Sequence, residues 1–257
     1  MEPEIRCSLC GDWVAESSYA FHLRSQHNQR SGLPQLVAGP LAPWRLVAWL
    51  GFVLVITGLN YLGRVAGEDP PEDLAYRWST SVGAVVVYAV TLLILLLISW
   101  GLPRREVFAL RRPQSWGRAA GYTAIALVAI WVTSAALAPF LDADDEQGFV
   151  PEDWDSSRAP AFVAFFLSVA VVAPIVEELT YRGLGFSLLA PYGTAIAVIV
   201  TGVLFGLSHG LFIGLPILTI FGLVIGWLRA KSESIYPPMI LHGIFNGTAL
   251  IVSVAVL

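Results

Sequence analysis

The chain has 257 residues, 56% of them hydrophobic and only 13% charged, with a net charge of −4 and a mean hydropathy of +0.69. A soluble domain carries about 25% charged residues, so this composition excludes an ordinary soluble globule and indicates a polytopic membrane protein. The net charge bears on no nucleic-acid partner; its distribution along the chain bears on topology.

The N-terminus is a separate object. Cys7 and Cys10 are the only cysteines, spaced C-x2-C; His22 follows after 11 residues and His27 after four more. Two thiolates on a knuckle and two imidazoles one helical turn apart make a tetrahedral set for zinc. The spacing resembles a C2H2 zinc finger, one residue short of the usual 12 between pairs. Residues 1–30 are therefore expected to form a zinc-binding ββα module through Cys7, Cys10, His22 and His27. Ser17 or Ser18 would cap its helix, and Trp13, Val14 and Tyr19 would supply a small core. The competing reading is chance placement in a disordered tail. A disulfide does not suit a cytoplasmic segment. One finger covers about 3 bp and this one has few basic residues. A docking or metal-stabilised module is expected, with no sequence-specific nucleic-acid binding. Residues 31–43 read as a linker.

Uncharged intervals then mark the spans. Eighteen residues separate Arg45 from Arg64, 26 separate Arg77 from Arg104, 23 separate Arg118 from Asp142, and 18 separate Arg158 from Glu177. The last 24 residues after Glu233 are also uncharged. About 20 residues cross the hydrocarbon, so each qualifies. The 46 residues between Arg182 and Arg229 are too many for one helix. Breaks at Pro191-Tyr192-Gly193 and Gly210 to Pro216 divide them into Thr194–His209 and Leu211–Leu228, with Gly183–Ala190 continuing the glutamate segment. The expected fold is all-α, a transmembrane bundle of seven spans or eight helices. Residues 44–158 would form the N-terminal spans and 159–257 the catalytic core. The first apolar run starts after residue 43, so no cleavable signal peptide is read.

Arg104, Arg105, Arg111, Arg112 and Arg118 crowd one connection, while Glu68, Asp69, Glu72 and Asp73 precede it and a loop from Asp142 to Asp155 rich in acids follows it. The positive-inside rule puts the arginine connection and the N-terminus in the cytoplasm. Alternation then puts His209 and His242 near opposite faces, unless the helices around them enter only part-way. Fourteen arginines against the single Lys231 fit a GC-rich prokaryotic genome, hence a prokaryotic plasma membrane.

Three elements in the second half carry chemistry. Glu177, Glu178 and Arg182 form E-E-x-x-x-R between uncharged runs. Insertion of such groups costs roughly 2.5–3.5 kcal/mol each. On a helix Glu178 and Arg182 share a face and can pair, whereas Glu177 points about 100° away. A carboxylate in an apolar pocket is a competent base near neutral pH. A structural ion pair at a helix end accounts for Glu178 with Arg182, but poorly for Glu177. Phe205 lies four residues before His209, on one face, placed to wall a site and touch substrate. His242 and Asn246 are again four apart on one face. Taken singly, these histidines read as packed polar residues, and His242 with Asn246 as an interhelical hydrogen-bonding pair.

Together, Glu177-Glu178-x-x-x-Arg182, Phe205-x-x-x-His209 and His242-x-x-x-Asn246 resemble the signature of the CAAX-processing and bacteriocin-processing (CPBP) intramembrane proteases, whose best-known kind is the prenyl-protein endopeptidase. Pro174, Tyr181-Arg182-Gly183 and Pro237 or Pro238 match as well. The resemblance covers roughly residues 80–257 and omits the finger. It implies an intramembrane endopeptidase in which Glu177, assisted by His209, activates water. His242 and Asn246 would stabilise the oxyanion, and Glu178 and Arg182 would organise the site. Family usage leaves a zinc at the active site open, since two histidines and a glutamate can hold one; a glutamate mechanism without metal is the preferred expectation. Membrane lipids and a peptide or protein substrate are the expected partners, with no prenyl group implied. A proton-coupled transporter and a non-catalytic scaffold of the same fold are the alternatives. No internal repeat of the kind transporters show is present.

Overall fold

The computed structural model describes residues 4–7, 11–15, 42–67, 71, 73–141, 146 and 154–255. The chain divides into two units, Met1–Pro40 and Leu41–Leu257. In the first, β1 (Glu4–Arg6) pairs antiparallel with β2 (Trp13–Ala15), Ile5 opposite Val14. Cys7 closes the hairpin: its N–H donates to the Asp12 carbonyl at 2.7 Å, and its carbonyl accepts from Gly11 at 2.8 Å. Gly11 takes φ +83°, a left-handed turn that a glycine adopts without steric cost. The Cys7 side chain is buried, whereas Trp13 is 66% exposed and does not fill the small core expected of it. Cys10, Ser17, Ser18, Tyr19, His22 and His27 lie outside the described residues.

The second unit is helical. Among the described residues its apolar helices are α1 (Pro43–Ala66), α2 (Trp78–Ile98), α3 (Trp116–Leu137), α4 (Ser156–Tyr192), α5 (Thr194–Leu207), α6 (Leu215–Ser232) and α7 (Tyr236–Ala255). All but α5 are long and apolar enough to cross a membrane, and the chain is an integral membrane protein. Each uncharged interval of the sequence holds one of these helices, except that between Arg182 and Arg229, which holds α5 and α6 and the end of α4. Prolines begin several of them: Pro43, Pro216 and Pro237 sit in first turns, where the missing N–H costs nothing.

The boundary between α5 and α6 differs from the sequence reading. α5 stops at Leu207, and His209 lies in the turn that follows; α6 starts at Leu215 and runs to Ser232. Three groups hold the intervening turn. Asn60 of α1 donates to the Ser208 carbonyl at 2.6 Å, and the Tyr61 hydroxyl donates to the Leu211 carbonyl at 3.0 Å. The Glu146 carboxylate accepts the N–H groups of Phe212, Ile213 and Gly214 at 2.6–2.8 Å. With 14 residues, α5 rises only about 21 Å.

α5 and α6 cross at a glycine contact. A Cβ on Gly222 would lie 2.4 Å from the Gly202 carbonyl oxygen, so only glycine allows this approach. The core around it contains Trp49, Leu184, Phe205, Ile225, Leu228 and Leu241, all 1% exposed or less.

Candidate active site

The acidic pair lies on α4, and that helix is irregular where the pair sits. Pro174 has no N–H, and its ring crowds the carbonyl four residues earlier. The helix widens into a π turn at Ser168–Val172, immediately upstream. The carbonyls released there are met by α7. Asn246 donates its Nδ2–H to the Val169 carbonyl at 3.1 Å. The Ala170 carbonyl stands 2.7 Å from where a Cβ on Gly243 would be. Proline on one helix and glycine and asparagine on the other are thus two halves of one contact. A second π segment, Leu179–Gly185, carries Arg182, and Trp49 donates to its Thr180 carbonyl at 3.0 Å.

Glu178 and Arg182 are both fully buried and paired, Nη1 to Oε1 at 3.0 Å. The same Oε1 lies 3.0 Å from His242 Nδ1. Arg182 also donates Nη2 to the Gly222 carbonyl at 2.8 Å, and its guanidinium lies 4.5 Å over the Phe205 ring. The α5–α6 glycine crossing therefore brings a backbone acceptor to the buried cation. Glu178 Oε2 and Arg182 Nε find no hydrogen-bond partner among the described residues.

Glu177 faces another way. Its side chain is 19% exposed; Oε1 accepts the Tyr88 hydroxyl at 2.7 Å, and Oε2 lies 3.7 Å from His242 Nε2. Tyr88, on α2, is absent from the sequence reading. An isolated tyrosine in the apolar run Val85–Leu97 was the one available signal. His242 thus bridges the two glutamates, Nδ1 toward the buried one and Nε2 toward the accessible one.

His209 lies 2.7 Å through Nδ1 from the Phe205 carbonyl. A carbonyl only accepts, so Nδ1 carries the hydrogen and neutral His209 presents Nε2 as a lone pair. The Phe205 ring separates the two histidines, its centroid 4.7 Å from His209 and 5.6 Å from His242. Phe221 packs on His242 at 5.1 Å. His209 and His242 therefore flank one phenylalanine at one level of the bundle, and the opposite-face arrangement from simple alternation does not occur. Phe205 is 1% exposed, enclosed by Tyr181, Arg182, Phe221 and both imidazoles.

Among the described residues, no three His, Cys, Asp or Glu side chains stand close enough to share a metal ion. Each histidine of the site directs Nδ1 to a protein acceptor, leaving one nitrogen apiece. What the residues do form is a chain of proton-bearing groups, Tyr88–Glu177–His242–Glu178–Arg182, with one partly exposed carboxylate.

Residues 159–248 match the family described as Rce1-like, type II CAAX prenyl endopeptidase Rce1-like. The interval contains Glu177, Glu178, Arg182, Phe205, His209, His242 and Asn246, and it excludes Tyr88. The match supports the resemblance to the CPBP proteases and a CAAX-protease type of hydrolase. No curated protein and no solved structure matches the chain.

Proposed function

We propose that this protein is an intramembrane endopeptidase in which Glu177 takes a proton from the water that attacks the scissile carbonyl. The observation that carries this reading is the contrast between the two glutamates. Glu178 is sealed and shared between a guanidinium and an imidazole, whereas Glu177 is partly exposed and held from one side by a neutral phenol. A positioned carboxylate beside an imidazole suits general base catalysis, a contribution of about 10²–10⁴ in rate.

Charge counting assigns the other roles. Two carboxylates and one guanidinium leave the quartet one positive charge short, and a proton on His242 makes it neutral. Imidazolium Nε2–H then points to the accessible side and meets the oxyanion as the tetrahedral intermediate forms. Asn246 has a second amide hydrogen beyond the one given to Val169 and lies one turn from His242, so it joins the oxyanion site. His209, with Nε2 as acceptor, is the second base for the water. On collapse, the proton held by Glu177 passes to the leaving amine. Glu178 and Arg182 position His242 without touching the substrate.

The arginine connection and the N-terminus are cytoplasmic in a prokaryotic plasma membrane by the positive-inside rule. The N-terminal unit holds one zinc through Cys7, Cys10, His22 and His27; the hairpin closed by Cys7 suits a thiolate knuckle, and two sulfurs with two imidazoles suit zinc. The deciding experiment reconstitutes the full chain in liposomes with a fluorogenic peptide substrate. Glu177→Gln is expected to lose at least about 100-fold in kcat while melting like the parent. Undiminished cleavage by that variant would overturn the reading.

A further inference from the structure

Away from the glutamates, a recess of about 530 Å³ opens where the α2–α3 connection meets the start of α7. Its volume is within the usual range for small-molecule sites, about 300–1,000 Å³. Arg105, Arg111 and Arg112 line one part of it. Arg105 and Arg112 are exposed, and their guanidinium groups make no hydrogen bond or ion pair among the described residues. Arg111 is partly buried and directs Nε to the Glu233 carbonyl at 2.7 Å, which leaves its terminal nitrogens. Burial pulls Arg111 below its ordinary range, and Glu233 and Glu106 only partly restore it. Glu233 is itself engaged by Gln114 at 2.9 Å. Positive charge is in excess here, and an anion would relieve it.

The rest of the recess is apolar. Trp116 and Tyr236 line it, and such rings concentrate at membrane–water boundaries. Met239 and Ile240 continue the lining along α7, and Ile240 and Trp116 are each about half exposed. Guanidinium groups forked for phosphate therefore adjoin apolar side chains open to the hydrocarbon. A soluble phosphate uses only the first half of such a surface; an amphiphile uses both. We propose that this recess binds the phosphate headgroup of an anionic glycerophospholipid, with the start of its acyl chains on Met239 and Ile240. The site is independent of the protease reading, although α7 joins the two: Tyr236 is six residues, about 9 Å, before His242.

The test is native mass spectrometry and lipid-dependent thermal melting of the full chain in detergent, with phosphatidylglycerol, phosphatidylcholine or inorganic phosphate. Phosphatidylglycerol is expected to bind about tenfold tighter than phosphatidylcholine, with millimolar-range inorganic phosphate failing to displace it. Arg105→Gln/Arg112→Gln removes two partnerless exposed groups. It should melt like the parent in phosphatidylcholine and lose about tenfold in phosphatidylglycerol affinity. Arg104→Gln/Arg118→Gln changes the charge of the same connection equally, outside the recess, and should bind like the parent. Equal binding of the two lipids, equal loss in both double variants, or displacement by inorganic phosphate would each overturn the proposal.

Discussion

Glu177 and Glu178 are neighbours in the chain with opposite surroundings, and their amide substitutions should fail differently. Glu177→Gln keeps size and a hydrogen-bonding partner for Tyr88, so the fold persists and cleavage is lost. Glu178→Gln leaves Arg182 buried at 0% exposure without its counter-charge, a defect of about 3–5 kcal/mol. It also removes the acceptor that orients His242 Nδ1. Melting temperatures of both purified variants, read beside cleavage rates, check the assignment; equal destabilisation with equal residual cleavage would mean the roles are wrong. Tyr88→Phe is the finer probe. It deletes one hydroxyl bonded to a carboxylate, so stability should fall by up to about 1.5–3 kcal/mol. As Glu177 loses its positioning, kcat should fall about 10- to 100-fold with little change in KM. Glu178, Arg182, His242 and Asn246 were legible in the sequence because each pair is four residues apart on one helix. Tyr88 was not, because its partner is 89 positions away and nothing local marks it.

At the scale of elements, the site depends on two close crossings and one anchored turn. Gly243→Ala would drive a methyl toward the Ala170 carbonyl at 2.7 Å, and Gly222→Ala would drive one to 2.4 Å from the Gly202 carbonyl. Overpacking of this kind costs about 1–3 kcal/mol. Gly222→Ala should be the worse of the two, since its approach to backbone is the closer and its own carbonyl is the acceptor for Arg182; thermal melting of the pair decides the order. Pro174 was legible as part of the family resemblance, but not as the cause of a π turn whose Val169 carbonyl accepts from Asn246. That consequence appears only once α7 lies alongside. The turn after α5 is held by Glu146. Burial alone would raise its carboxyl, but N–H groups of Gly214, Phe212 and Ile213, with Arg64, outweigh this and bring it below the ordinary carboxylate value. A carboxyl lowered in the folded state contributes stability above its unfolded value and loses it as pH falls through the folded one. The parent should therefore be more stable than Glu146→Gln at neutral pH. That difference should shrink on acidification to about pH 3; a gap in melting temperature that stays constant with pH would contradict the anchor.

On the scale of the whole molecule, six uncharged intervals, with the breaks inside the longest, were enough to place seven helices, because burying a charge in hydrocarbon is the largest local penalty the chain faces. The levels of His209 and His242 were not readable by the same logic. Alternation assumes every helix crosses fully, and α5 has only 14 residues, too few for that assumption. The contacts of the chain also separate it into Met1–Pro40 and Leu41–Leu257, each with its own internal set. The apolar helices α1 to α7 and all the groups assigned to cleavage belong to the second unit. A chain beginning at Leu41 should therefore insert, melt near the parent temperature and retain peptide cleavage. The full chain should take up one cobalt ion with the absorption of a tetrahedral thiolate site, and the truncated chain none, because both cysteines precede the cut. Metal binding without cysteine involvement, or collapse of the bundle on truncation, would show that the two units do not divide the work in this way.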